Sequence, residues 1–123
     1  MRTLLQSLSI SLHAADDETR SSLMPVNKKW NIEQLLTACR AYFEKTGRRI
    51  SFEYTLVRGK NDTVSDANKL ADVLYKYCAG MPLHVNLIPV NNVEERGFLP
   101  SEKSGIEAFA RTLEGRHIAA TVR

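Results

Sequence analysis

Ser11 and His13 stand two residues apart at the end of a short alternating run, Leu8-Ser9-Ile10-Ser11-Leu12. On an extended strand that spacing puts both side chains on one side. There a serine hydroxyl can donate and accept, and an imidazole can do either according to its tautomer. A second cluster, Arg58-Gly59-Lys60-Asn61-Asp62, contains a glycine turn that can offer backbone amides. Asn91-Asn92 follows a run closed by Pro89, and the Asn91 amide can donate and accept toward an adenine or a carboxylate. Arg123 is the fourth such place. Each has a second reading. A lone histidine at a strand end is commonly a hydrogen-bonded structural residue, and the Arg58–Asp62 and Asn91-Asn92 segments are turn signals. Ser11 and His13 form no Ser-His-Asp constellation by spacing. No HExxH, CxxC or Gly-rich phosphate fingerprint occurs.

The remaining charged residues and cysteines read more simply. Asp16-Asp17-Glu18 suits the acidic first turn of a short helix. Arg20, Lys28, Lys29, Arg48 and Arg49 can meet phosphates or form a solvated basic face. Cys39 and Cys78 fall on apolar helical stripes, as small hydrophobes do, and match no disulfide or metal spacing, so a reducing cytoplasm is expected. Seventeen Lys and Arg against fourteen Asp and Glu give a net charge of +3, too slight to argue for nucleic acid by itself. No apolar run approaches the ~20 residues of a membrane span, so no membrane contact is expected. The composition, 43% hydrophobic and 25% charged, is that of a globular chain with a core.

The elements that must position these groups alternate along the chain. Strands are expected at Leu8–Leu12, Ile50–Val57, His84–Val90 and His117–Val122. Pro89 ends the third or sets it at an edge. Between them lie three main helices. The first opens on a capping box at Asn31-Ile32-Glu33-Gln34, carries Ile32, Leu35, Leu36, Cys39 and Phe43, and closes at Gly47; Trp30 before it suits a hydrophobic staple. The second begins near Ser65 or Asp66, carries Ala67, Leu70, Ala71, Leu74 and Cys78, and stops at Gly80 and Pro82. The third follows Pro100-Ser101, carries Ile106, Phe109, Ala110 and Leu113, and ends at Gly115.

This β-α-β-α-β-α-β order implies an α/β fold of parallel βαβ units. Ser9, Ser11 and His13 share one strand face, as do Ser51, Glu53 and Thr55. A polar face is unexpected in an open sheet covered on both sides and suits the inside of a barrel. Yet 123 residues are too few for a whole barrel of ~250. Four parallel strands also leave two unpaired edges. A single incomplete barrel domain over residues 1–123, cut at both ends, is the expected organisation.

Ser9-Ile10-Ser11-Leu12-His13-Ala14, then Arg20 and Leu23-Met24-Pro25-Val26-Asn27-Lys28, resembles the radical SAM enzymes that methylate carbon 2 of adenine in 23S rRNA and tRNA. Thr46-Gly47-Arg48-Arg49-Ile50, Phe52-Glu53-Tyr54-Thr55-Leu56, Gly59-Lys60-Asn61-Asp62, His84 to Asn91 and Thr121-Val122-Arg123 continue the resemblance in order. It implies the second half of a partial TIM-like radical SAM barrel. It also implies S-adenosylmethionine contacts at Ser11, Leu12, His13 and Asn91, and 23S rRNA and tRNA as partners.

The intact family holds a 4Fe–4S cluster through CxxxCxxC, which is absent here, as is the Ala-Cys-Gly tail bearing the methyl-carrying cysteine. Cys39 and Cys78 match neither. The resemblance therefore implies no catalytic residue and no metal ligand in these 123 residues, and no methyl transfer from them alone. Two other readings compete: an RNA-binding or assembly module pairing its open edges with a second copy or a complementary half-barrel, and a truncated product without independent function.

Overall fold

The structure, a computed structural model, describes residues 8–23, 30–90 and 98–123. Among the described residues four strands run in chain order across one sheet: β1 (Leu8–Ser11), β2 (Ile50–Leu56), β3 (His84–Pro89) and β4 (Ala119–Val122). All three pairings are parallel. Helices α1 (Asp17–Leu23), α2 (Ile32–Thr46), α3 (Val64–Cys78) and α4 (Lys103–Gly115) fill the crossovers. The strand order never reverses, as it does in doubly wound sheets, and one face of the sheet carries the core. The α/β reading with parallel βαβ units is borne out.

Period-two patterning explains which face that is. Along β2, Ile50, Phe52, Tyr54 and Leu56 are buried while Ser51, Glu53 and Thr55 are half-buried. Val85 and Leu87 of β3 join the buried row. Against it pack Ile32, Leu36 and Cys39 of α2, Ala67, Leu70, Ala71, Leu74 and Cys78 of α3, and Phe109 and Leu113 of α4. The rings of Tyr54 and Phe109 meet with centroids 5.1 Å apart and planes tilted by 42°. Burial of each large apolar side chain contributes about 1.5–3 kcal/mol, offset by the ordering of the chain.

The helix ends follow their local chemistry. Asn31 and Gln34 form the expected reciprocal capping box, and Gly47 closes α2 at φ 70°, where a β-carbon would be strained. α3 begins earlier than expected. Thr63 is its cap, its hydroxyl accepting from the Asp66 amide at 3.1 Å while the Asp66 carboxylate accepts from the Thr63 amide. Asp66 is thus the third helical residue of a second capping box rather than the cap. β4 begins later than expected because His117, at φ 64°, is still turning out of α4.

The polar strand face carries cross-strand rows. Ser9, Ser51, His84 and Ala119 lie level, as do Ser11, Glu53, Asn86 and Thr121. His84 joins three strands, Nδ1 to the Ser51 hydroxyl at 3.0 Å and Nε2 to the Thr121 hydroxyl at 2.7 Å. Among the described residues no strand pairs the outer edges of β1 and β4.

Candidate functional site

At the carboxyl end of β1 the chain leaves the sheet through a left-handed residue, His13, at φ 62°. The alternation of burial nevertheless continues: Ser11 is exposed, Leu12 buried, His13 half-buried and Ala14 buried. The conformation costs a non-glycine residue about 1–2 kcal/mol, and several bonds hold it. Both the Leu12 and His13 amides donate to the Glu53 carbonyl, at 2.9 and 3.2 Å. The Thr55 amide donates to His13 Nδ1 at 2.9 Å.

The Arg58–Asp62 turn supplies the remaining support. Gly59 adopts φ 76°, and its amide donates to the Asp62 carboxylate at 3.1 Å. This folds Asn61 back between β1 and β2, where it is 1% exposed. Its Nδ2 donates to the carbonyls of His13 (2.9 Å) and Thr55 (2.7 Å), and its Oδ1 accepts from the Val57 amide at 2.8 Å. The Tyr54 hydroxyl donates to the Asn61 carbonyl at 2.7 Å. The turn reading of this segment is correct, but one of its residues is buried and fully engaged.

Arg20 corrects an expectation. It is neither a phosphate ligand nor part of a solvated face, being only 4% exposed. Its guanidinium donates to the carbonyls of Leu12 (3.0 Å), Ser11 (3.1 Å) and Trp30 (3.2 Å). Arg48 and Arg49 are exposed, as a solvated face requires; Lys28 and Lys29 lie outside the described residues. Around Arg20 the acidic first turn of α1 is structural: Asp16 caps the Thr19 amide at 2.7 Å and Asp17 accepts from Ile32 at 2.8 Å. Trp30 and Leu35 line one hollow beside Arg20.

A hollow of about 240 Å³ opens at this end of the sheet, lined by His13, Leu23, Thr55, Val57, Val90 and Phe98. Its aromatic wall is anchored to the turn. The Arg58 amide donates to the Leu99 carbonyl at 2.9 Å, and Ser101 donates to Asp62 at 2.6 Å. Arg123 reaches Glu53 at 3.2 Å on the polar face. A larger hollow, about 300 Å³, lies at the amino ends of the strands between Arg49 and His84. Its one hydroxyl, of Ser51, is already bonded to His84, whereas ligands in parallel α/β folds gather at the carboxyl ends. We therefore take the smaller hollow as the candidate site.

The site's electrostatics favour neutral imidazole. Burial pushes the His13 pKa below its ordinary 6.5, the Glu53 carboxylate opposes this, and the Arg20 charge reinforces it. A neutral imidazole that accepts at Nδ1 carries its proton on Nε2 and is a donor there. Leu12 has a fully buried side chain, so its place is under the mouth. Of the expected contacts only His13 lines the hollow; Ser11 is exposed at the end of β1, and Asn91 lies outside the described residues. Reasoning from spacing missed the structural roles of Arg20 and Asn61. An asparagine in a glycine turn at a strand end is a signal for the latter; nothing local marks Arg20.

An aromatic ring with polar handles suits this half-apolar mouth, so S-adenosylmethionine fits the residues present. A 4Fe–4S cluster does not. Cluster iron needs thiolates, but Cys39 and Cys78 are buried and burial pushes both thiols up to about 11. No group of three metal-ligating side chains occurs among the described residues. Nor is any helix among them long and apolar enough to cross a membrane.

Comparison with known proteins extends these observations. No family model matches the sequence. Over 95% of its length the chain is 52% identical to a probable dual-specificity RNA methyltransferase RlmN of Alkaliphilus oremlandii. The corresponding proteins of Clostridium perfringens and Clostridioides difficile are 51% and 47% identical over the same share. The chain spans about a third (33%) of the length of these relatives. A crystal structure of a radical SAM methyltransferase from Sphaerobacter thermophilus superposes with a TM-score of 0.88 at 44% identity, over 95% of this chain and 33% of that one. A domain of a pyruvate-formate lyase-activating enzyme from Bacteroides vulgatus shares the fold, with a TM-score of 0.74 at 17% identity, over 94% of this chain and 66% of that one. The resemblance to radical SAM methyltransferases drawn from the sequence motifs is borne out.

Proposed function

We propose, from its similarity to radical SAM RNA methyltransferases, that this chain is the cofactor-contacting part of such an enzyme, one acting on adenine carbon 2 of 23S rRNA and tRNA. The observation that carries the reading is the 52% identity over 117 residues. The hollow at the carboxyl ends of the strands, apolar but for His13 and Thr55, supports it. When bound, S-adenosylmethionine supplies the methyl group. The chain's own residues bind and orient: Ser11 offers an exposed hydroxyl, His13 a donor at Nε2, and Phe98 with Val57 and Val90 an apolar wall. Leu12 acts from beneath by holding the strand end, and the resemblance adds Asn91 as a further contact. Exposed Arg48 and Arg49 suit an RNA backbone.

Titration with S-adenosylhomocysteine, followed by amide NMR, tests this. Shifts centred on Ser11–Ala14 and Thr55 are expected, and their absence at millimolar ligand overturns the assignment. These 123 residues by themselves carry no CxxxCxxC, so iron–sulfur reconstitution is expected to yield neither cluster absorbance nor RNA methylation. Turnover would refute that part.

The bare outer edges of β1 and β4 among the described residues favour a second reading, an assembly module. It would pair those edges with a second copy or a complementary half-barrel. A monomer in sedimentation that retains no RNA at moderate salt counts against it.

A further inference from the structure

We infer that Asn61 is a positioning residue for the mouth: by tying the carbonyls of His13 and Thr55 together, it fixes the His13 imidazole with Nδ1 as acceptor and Nε2 as the only donor. The inference deepens the cofactor-contact reading and rests on it only for the identity of the ligand.

The hydrogen-bond directions leave one arrangement. The Thr55 backbone amide can only donate, so the nitrogen 2.9 Å from it, His13 Nδ1, holds no proton. The same peptide segment is tied to His13 a second time, since Asn61 Nδ2 bridges the Thr55 and His13 carbonyls at 2.7 and 2.9 Å. The carboxamide cannot be reversed. Turned over, its oxygen would face two carbonyl oxygens and its amino group would face the Val57 amide, which now donates to Oδ1 at 2.8 Å. Asp cannot replace it, because a carboxylate would oppose two acceptors with no donor to offer. His13 sits at φ 62°, a conformation costly for a non-glycine residue, and the bond from Asn61 to its carbonyl helps hold it there.

The consequence is a chemical filter at the half-buried His13. A fixed Nε2–H selects a ligand atom that accepts, such as a purine ring nitrogen or a carboxylate oxygen. It disfavours one that donates. Were the imidazole free to change tautomer, the mouth would take either.

Imidazole nitrogen NMR reads this directly. In the unaltered chain at pH 7.5, His13 is expected to show an unprotonated Nδ1 and a protonated Nε2; a protonated Nδ1 overturns the inference whatever the variants do. In Asn61→Ser, mixed tautomers are expected, with S-adenosylhomocysteine affinity about tenfold weaker. Tyr54→Phe is the control for general loosening, since it removes the bond to the Asn61 carbonyl and leaves the carboxamide alone. It is expected to keep the single tautomer. An unchanged tautomer in folded Asn61→Ser, or the same mixture in Tyr54→Phe, refutes positioning by Asn61. If the unaltered chain does not bind S-adenosylhomocysteine, the ligand reading fails while the tautomer comparison still decides the role of Asn61.

Discussion

The guanidinium of Arg20 donates through Nε to the carbonyl of Leu12 at 3.0 Å, so a charged side chain on α1 closes the end of the strand before it. Two further carbonyls, of Ser11 and Trp30, depend on the same group. Arg20→Ala leaves buried acceptors unpaired and is expected to cost about 2–4 kcal/mol. Arg20→Lys should recover only part, since an ammonium lacks the planar fork that serves three carbonyls. Urea midpoints at unchanged slope measure both; a loss below about 0.5 kcal/mol for the alanine variant contradicts the clamp.

Acid should weaken the fold through His13. Its pKa is lowered on folding, by burial first and by the Arg20 charge, with Glu53 opposing. Below 6.5 the unfolded chain therefore takes up a proton that the native state refuses, and stability falls as pH drops from 6.5 toward the depressed native value. Protonation also sets an Nδ1–H against the Thr55 amide. The difference in unfolding free energy between the unaltered chain and His13→Asn, followed from pH 7.5 to 5, should narrow. A constant difference rejects the linkage.

Cys39 and Cys78 should be inert while the chain is folded. Their thiols are pushed from 9.0 up to about 11 by burial, so near pH 8 their thiolate fraction falls on the order of 100-fold. Iodoacetamide labelling followed by mass spectrometry should be slower by at least that factor in native protein than in urea. Rapid native labelling of either cysteine would show that the α2–α3 packing is wrong.

Tyr54 joins the core to the mouth. Tyr54→Phe keeps the ring against Phe109 and loses the bond to the Asn61 carbonyl, which should cost about 1–2 kcal/mol. Tyr54→Ala adds a core cavity and should cost about 3–5 kcal/mol. Equal losses in thermal or urea unfolding would mean that the hydroxyl bond carries the whole effect and the packing none.

Much of the scaffold can be read from the chain because its signals are local. Asn31 and Gln34 announce one helix start, Gly47 its end, and the alternation from Ile50 to Leu56 tells which side of β2 faces the core. The start of α3 was misplaced because Thr63, Ser65 and Asp66 are all competent caps; only the reciprocal bonds between Thr63 and Asp66 choose among them. Ser11 and His13 are legible as a pair at a strand end, and of the two His13 lines the hollow. Arg20 resembled any surface arginine, since nothing in its neighbours says that three carbonyls converge on it.

By itself the sequence determined the order of elements, the polar and apolar strand faces and the resemblance to radical SAM methyltransferases, all carried by spacings of a few residues or by runs of motif. The tertiary structure decided which polar groups meet. Thr55 lies 42 residues from the imidazole it holds, and Asn61 lies 48 from the carbonyl it shares with that imidazole's residue. Such pairings depend on strand register and on how each crossover packs. Burial of the whole apolar face sets both, and no local period in the chain encodes them.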